Sequence, residues 1–283
     1  MPTTPTRVGN RLSSGLKTFQ PVLEAARSRD VNESDTVIIV TDLLSDLFGY
    51  DKYAELTSEV SIRGTYCDLA AKVDNEIQFL VEVKAIGSEL KEGHTRQAVD
   101  YAANQGVDWV VLTNGAIWKV YRVLFNKPVE PDLVIEFDLL ELDPKLPEDI
   151  GKVYLLSKEG FHKSALAEYD AQRQALNRFC VAALVISDPV VAVIRRELRR
   201  LSPEVRIAPE QVRDVMEREV LKRDVLEDER AADAKRRVAK VIAKATKQRA
   251  EAEPAAGAAP APPANAAQPA PLAATAATTS TQS

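Results

Sequence analysis

Residues 108–125, "DWVVLTNGAIWKVYRVLF", constrain the fold more than any other stretch. Two runs rich in β-branched and aromatic residues are joined by Asn114-Gly115, the strongest short-range signal for a β-hairpin. A second pair of apolar runs flanks "VDNE" at 73–76, in "YCDLAAKVDNEIQFLVEVK", and reads as another hairpin. Before it, "NESDTVIIVTDLLSDLFGY" offers Asn32 or Ser34 as a helix cap. Val37, Ile38, Val40, Leu43, Leu44 and Leu47 then recur at helical spacing, and Gly49 closes the segment. Between the hairpins, "TRQAVDYAANQG" also has helical character. The order helix, hairpin, helix, hairpin predicts an α/β or α+β layout around a central sheet.

Composition divides the chain into three. Residues 1–155 hold the mixed helix and strand pattern, and 156–248 are mainly helical. The helical region contains "KSALAEYDAQRQALNRFCVAALVI" as one long pattern, followed by helices starting at Pro189 and Pro209. Residues 249–283 are rich in Ala and Pro with few large apolar side chains. Such a tail cannot offset the entropy of folding, so disorder is expected there.

The chain has 283 residues, 45% of them hydrophobic and 28% charged, which is ordinary for a globular protein. No apolar run approaches the ~18 residues of a membrane span, and the N-terminus lacks a secretory pattern. Cys67 and Cys180 lie far apart, without metal-ligand spacing. A reduced, cytoplasmic protein with no structural zinc is expected.

A net charge of −5 argues against a protein that simply coats polyanions. Local basic clusters remain: Arg7, Arg11, Lys17, Arg27 and Arg29 near the start, "RRELRR" at 195–200, and "AKRRVAKVIAKATKQR" at 234–249. These suit phosphate contacts or solvated helix faces.

The chemistry centres on "FLVEVK" at 79–84. Residues i and i+2 of a strand share a face, so Glu82 and Lys84 project together while Phe79, Val81 and Val83 pack behind. Three other acidic-x-Lys tripeptides, Glu89/Lys91, Asp143/Lys145 and Asp233/Lys235, fall in a loop, around a proline and in a charged helix. Asp68, in the partner strand of the hairpin, can come beside Glu82. Two carboxylates held close on a half-buried sheet resist joint ionisation unless a cation neutralises them. Hard oxygen ligands suit Mg²⁺, with Mn²⁺ able to substitute, and the neighbouring lysine can orient water or stabilise developing charge. The same residues also suit an Asp–Lys–Glu ion network on a solvent-facing strand.

The run from "NESDT" through "DLAA", "FLVEVK", "RQAVDYAANQGVDWVVLTNG" and "WKVYRV" resembles the PD-(D/E)xK nuclease superfamily. It is similar in particular to stand-alone proteins carrying the N-terminal domain of the type I restriction enzyme R subunit. The resemblance covers about residues 9–140. It implies a restriction-endonuclease-like core with a central mixed β-sheet flanked by helices, and a Mg²⁺-dependent endonuclease acting on DNA. Asp68 and Glu82 would be metal ligands and Lys84 the catalytic lysine. Glu33 would complete the site by binding metal or water, although it equally suits a helix-capping turn. Gln97 and Tyr101 match a QxxxY feature that positions the lysine or DNA, and otherwise form an ordinary helix face. Cys67 precedes Asp68 where the family often has proline. His94 and His162 carry no metal role, since neither has a second His or Cys at ligand spacing. No phosphate-binding G-x-x-x-x-G-K-[ST] loop occurs, so the chain has no ATPase motor of its own. Double-strand cutting would most simply use a homodimer. The alternative is a protein of a different class, a non-catalytic nucleic-acid-binding or complex-assembly protein that retains the fold; an intact Glu33/Asp68/Glu82/Lys84 set favours the enzyme.

Overall fold

The structure, a computed structural model, describes residues 2–62 and 65–252. Most of the tail expected to be disordered lies outside the described residues; its first four, 249–252, close a helix. The chain divides at Val181/Ala182 into two compact units.

The first unit is built on one six-stranded sheet in simple sequence order: β1 (Leu56–Ile62), β2 (Thr65–Val73), β3 (Glu76–Val83), β4 (Trp109–Thr113), β5 (Ile117–Leu124) and β6 (Glu130–Asp138). All neighbours pair antiparallel except β3 and β4, which are parallel and are joined by helix α3 (Glu92–Gln105). A parallel pair needs such a crossover, because no tight turn can reverse the chain twice. The sheet is therefore mixed and flanked by helices, as the pattern of hairpins and helices predicts.

Both hairpins form. Asp74 and Asn75 adopt φ of 53° and 66°, the left-handed pair that a two-residue hairpin turn of type I′ requires and that Asp and Asn tolerate. The second turn differs in detail from the Asn-Gly signal. The Asn114 N–H donates to Ile117 O at 3.3 Å, and Gly115, at φ 88°, is the first of two turn residues. Glycine in that place is the type II′ arrangement. Asn114 is thereby freed for another task. Its side-chain oxygen accepts from Ile117 N at 2.8 Å, and its Nδ2 donates to Ile86 O at 3.2 Å and Ser88 O at 3.1 Å. One buried amide thus clamps the loop after β3 to the β4–β5 turn. Asn114→Ala leaves those carbonyls without their donor and is expected to cost about 1–3 kcal/mol, measured as a lower midpoint in urea unfolding.

Each face of the sheet has its own core. On one, Phe79, Val81, Val83, Val111 and Trp118 pack with helices α1 (Thr6–Ser28), α2 (Glu33–Asp42) and α4 (Pro147–Leu156). On the other, Ala70, Leu80 and Val110 pack with Ala98, Tyr101 and Ala102 of α3. Helix α2 is capped by Asn32, whose side chain accepts from Asp35 N at 2.9 Å, and continues as a π-helical turn, Leu43–Leu47. Val40, Leu43, Leu44 and Leu47 are buried as their spacing predicts, whereas Ile38 is exposed. Helix α1 and the two edge strands β1 and β6 are additions to the pattern of two helices and two hairpins.

The first unit continues beyond residue 155 through α5 (Lys158–His162) and α6 (Ala165–Ala175). Phe161 stacks on Phe79 with ring centroids 4.9 Å apart. Asp170 of α6, fully buried, accepts from Arg122 of β5 at 2.9 Å. The expected single helix over this stretch is broken, with α6 ending at Ala175 and α7 spanning Arg178–Val185. Between them the Asn177 side chain accepts from Cys180 N at 2.8 Å, an N-cap that starts a new helix. In the second unit α8 (Asp188–Leu201) and α9 (Pro209–Val215) begin at their prolines as expected. They are followed by α10 (Arg223–Glu227) and α11 (Glu229–Ala252). Among the described residues no helix is long and apolar enough to cross a membrane.

Candidate functional site

The site assembles at the end of β3. Leu69 of β2 pairs with Val81 of β3, so the strand register carries Asp68 alongside Glu82. One Asp68 oxygen accepts from the Val83 N–H at 2.7 Å, fixing the carboxylate across the hairpin. Lys84 follows the last residue of β3. Its N–H donates to Thr113 O at 2.8 Å, continuing the parallel seam, and its Nζ donates to Glu82 Oε1 at 2.9 Å. Helix α2 begins at Glu33, whose Oε2 stands 3.5 Å from Lys84 Nζ. Strand, hairpin and helix start thus bring together Asp68, Glu82, Lys84 and Glu33, four residues that sequence spacing and resemblance single out.

Burial is what distinguishes this group from a surface ion network. Glu82 is only 3% exposed, because α3 covers its face of the sheet. Lys84 occupies its Oε1, while Oε2 is buried without any hydrogen-bond partner. Burial raises the pKa of Glu82, and the nearby Asp68 charge adds to the rise against the opposing Lys84 hydrogen bond. Burial likewise raises Asp68, against the Val83 N–H bond and the Lys84 charge. For Lys84, burial works toward a lower pKa but is outweighed by the Glu82 hydrogen bond and by the charges of Glu82, Glu33 and Asp68, so the net shift is upward. The ammonium is held protonated at neutral pH. It acts here as a fixed positive charge and hydrogen-bond donor, not as a base. Cys67 beside the site is buried and its thiol is pushed up to about 12, chiefly by burial, so it is inert.

The donor set fits a hard divalent cation. An ionised carboxylate oxygen, buried and unpartnered, is costly unless a cation meets it. Asp68 and Glu82 supply hard oxygens. Among the described residues no three His, Cys, Asp or Glu side chains come close enough to share one ion. Two carboxylates suit Mg²⁺ best, since it commonly keeps several waters and takes its remaining ligands from substrate phosphate.

Gln97 and Tyr101 have a different setting. Gln97 Nε2 donates to Tyr101 Oη at 3.4 Å, and Tyr101 lies in the α3 core with Cys67 and Leu80. Their hydrogen bond is to each other rather than to Lys84. His94 Nδ1 accepts from Lys91 N at 3.5 Å at the start of α3, and His162 Nδ1 stands 3.8 Å from Asp74. Of the other acidic-x-Lys pairs, Asp143 uses its carboxylate to accept from Lys145 N within a turn.

The basic clusters are partly consumed inside the protein. Arg11 forms a two-pronged bridge to Glu159, at 2.6 and 2.7 Å, and also donates to Phe48 O. In the second unit Arg195 donates to Ile207 O, and Arg200 pairs with Glu197. Arg11 and Arg195 tie separate segments together, whereas Arg200–Glu197 is an exposed pair within α8. Thr113 and Asn114, which hold Lys84 and the loop after it, are the supporting residues that sequence reasoning missed. Asn114 carried a signal, but only as half of a turn dipeptide.

No family model matches the chain, and no curated protein and no solved structure matches it.

Proposed function

We propose that this chain is a Mg²⁺-dependent nuclease that hydrolyses phosphodiester bonds in DNA, in restriction or DNA processing. The observation that carries the reading is the Glu82 carboxylate, buried, with one oxygen on Lys84 and the other unpartnered. A buried carboxylate oxygen without a partner is uncommon, and a bound cation beside it would satisfy it. When bound, the divalent ion supplies Lewis-acid polarisation of the phosphate and lowers the pKa of water. Asp68 and Glu82 are the residues that hold it. Lys84, protonated and tethered to Glu82, is placed to orient the attacking water and to stabilise charge building on the phosphate oxygens. Glu33 completes the acidic rim and steadies the ammonium from the opposite side. The Val83 N–H and the Thr113 carbonyl fix Asp68 and Lys84 to the sheet, which keeps the group preorganised.

Cation binding can be read apart from turnover. Millimolar Mg²⁺ or Mn²⁺ is expected to raise the thermal midpoint of the wild-type protein and to leave Glu82→Gln unmoved. At a free concentration about tenfold above Kd the gain is about 1.4 kcal/mol. The functional test is incubation of plasmid and linear DNA with the protein and either cation. Cleavage that persists in Asp68→Ala, Glu82→Ala and Lys84→Ala would sink this assignment. DNA binding with no metal-dependent cleavage would favour a binding or assembly protein instead.

A further inference from the structure

A cavity of about 870 Å³ opens on the α3 side of the sheet, between α3 and strands β5 and β6. Its walls include neither Asp68, Glu82 nor Lys84. On α3 it is bordered by Thr95, Arg96 and Val99, which lie on a different flank of the helix from Gln97 and Tyr101. We infer that this cavity binds a nucleotide, with the base beside Tyr121 and the phosphate against Arg96.

Three features support this chemistry. The first is apolar lining: Val99, Tyr121 and Leu133 border the cavity, and the half-buried Tyr121 would supply a stacking surface that any base can use. The second is an unsatisfied polar group. Thr95 borders the cavity, is 3% exposed, and its hydroxyl has no hydrogen-bond partner. The hydroxyl itself is closed off from solvent, so a base edge would meet it only after the Thr95 side chain turns toward the cavity, and pairing there would relieve an uncommon buried orphan. The third is cationic. Arg96 is exposed and makes no ion pair or hydrogen bond among the described residues, so its planar fork is free for a phosphate. Lys119 adds a second charge, held only loosely, with Nζ 3.4 Å from Glu136 and 3.5 Å from Leu90 O. Asp100 and Glu130, also on the walls, can accept from the amino groups of a base. The combination fits a base bearing a phosphate better than an apolar ligand, and the two carboxylates favour binding through the base rather than through phosphate charge alone. The nucleotide can be free in solution or one unit of a single strand, and the two sources share this chemistry.

The inference goes beyond catalysis at Lys84 and stands independently of it. The test is titration of the full chain with AMP and GMP, and with a labelled single strand about ten nucleotides long. Both ligands are repeated on Arg96→Glu and on Thr95→Val, which removes only the hydroxyl. Saturable binding is expected, weakened at least about tenfold in Arg96→Glu and about threefold or more in Thr95→Val. Tighter binding of the strand assigns the cavity to nucleic acid; tighter binding of the mononucleotide assigns it to a free ligand. No binding of either at millimolar concentration, or affinity unchanged in Arg96→Glu, overturns the inference. Glu82→Gln should retain mononucleotide binding. A wild-type protein that binds nucleotide yet cleaves no DNA would defeat the nuclease reading and leave this one standing.

Discussion

Glu82→Gln is expected to lower metal-dependent DNA cleavage by on the order of 10³-fold or more, about 4 kcal/mol in the activation barrier. The substitution keeps the size of the side chain and leaves an amide oxygen that can still accept from Lys84. What it removes is the negative charge facing the unpartnered position at Oε2. Lys84→Ala should give a loss of similar order for another reason. Two neighbouring carboxylates would remain without the ammonium that now sits 2.9 Å from Glu82. Lys145→Ala and Lys235→Ala, in tripeptides of the same spelling, are exposed and should cleave at the wild-type rate. Equal losses in all four variants would mean that the measured cleavage does not come from this site. The readout is the initial rate of plasmid nicking at saturating Mg²⁺.

Asp170→Ala is expected to lower stability by about 1.5–3 kcal/mol, because it removes the buried acceptor of several charge-assisted hydrogen bonds and leaves two partly exposed arginines without it. The Asp170 carboxylate is fully buried and accepts from Arg122 at 2.9 Å, Arg173 at 2.9 Å and Gln174 at 2.8 Å. Arg173 also pairs with Asp132 of β6. One side chain therefore ties α6 to two strands of the sheet. Arg122 in turn lies 5.8 Å from the centre of the Trp109 ring, so tryptophan fluorescence should report the change as well as the urea midpoint. An unfolding free energy within about 1 kcal/mol of wild type would show that α6 is not needed to hold the sheet together.

The same residue shows how the first compact unit runs on past residue 155, to Val181. In sequence Asp170 is a single charge in a polar helix, and nothing local marks it as buried. Its partners lie 48, 3 and 4 residues away, and only the distant one, Arg122, lies on the sheet. The hairpins were legible because their turns need left-handed backbone that Asp, Asn and Gly supply, and these residues can be read directly. The edge strands were harder. β1, "LTSEVSI", is half polar, and β6 holds Pro131, which is tolerated only because the strand lies at the edge. Helix α1 contains Gly15 and Pro21, both poor helix formers. A side chain at Gly15 would meet Leu47 at 2.6 Å, so the glycine is there for close packing that no local rule reveals.

For the site, strand period alone placed Glu82 and Lys84 on one face, and the hairpin placed Asp68 beside them. The depth of Glu82 could not be read this way. It depends on α3 covering that face, a tertiary event that turns an expected half-buried sheet face into one where Glu82 is buried.

The single parallel pairing between β3 and β4 has a consequence for how the protein reaches its working form. Strands β1–β3 and β4–β6 are each continuous antiparallel meanders, whose contacts are local along the chain. The seam between them joins residues about thirty apart, such as Val81 and Val111, and closes only once α3 has crossed over. Low-contact-order meanders form early and distant pairings late. Lys84 is anchored through this seam by its bond to Thr113, so the two halves of the sheet can be built while the acidic group still lacks its fixed cation. The seam is then expected to close last, so in pulse-labelling hydrogen exchange during refolding the Lys84 N–H should gain protection later than the amides within either meander.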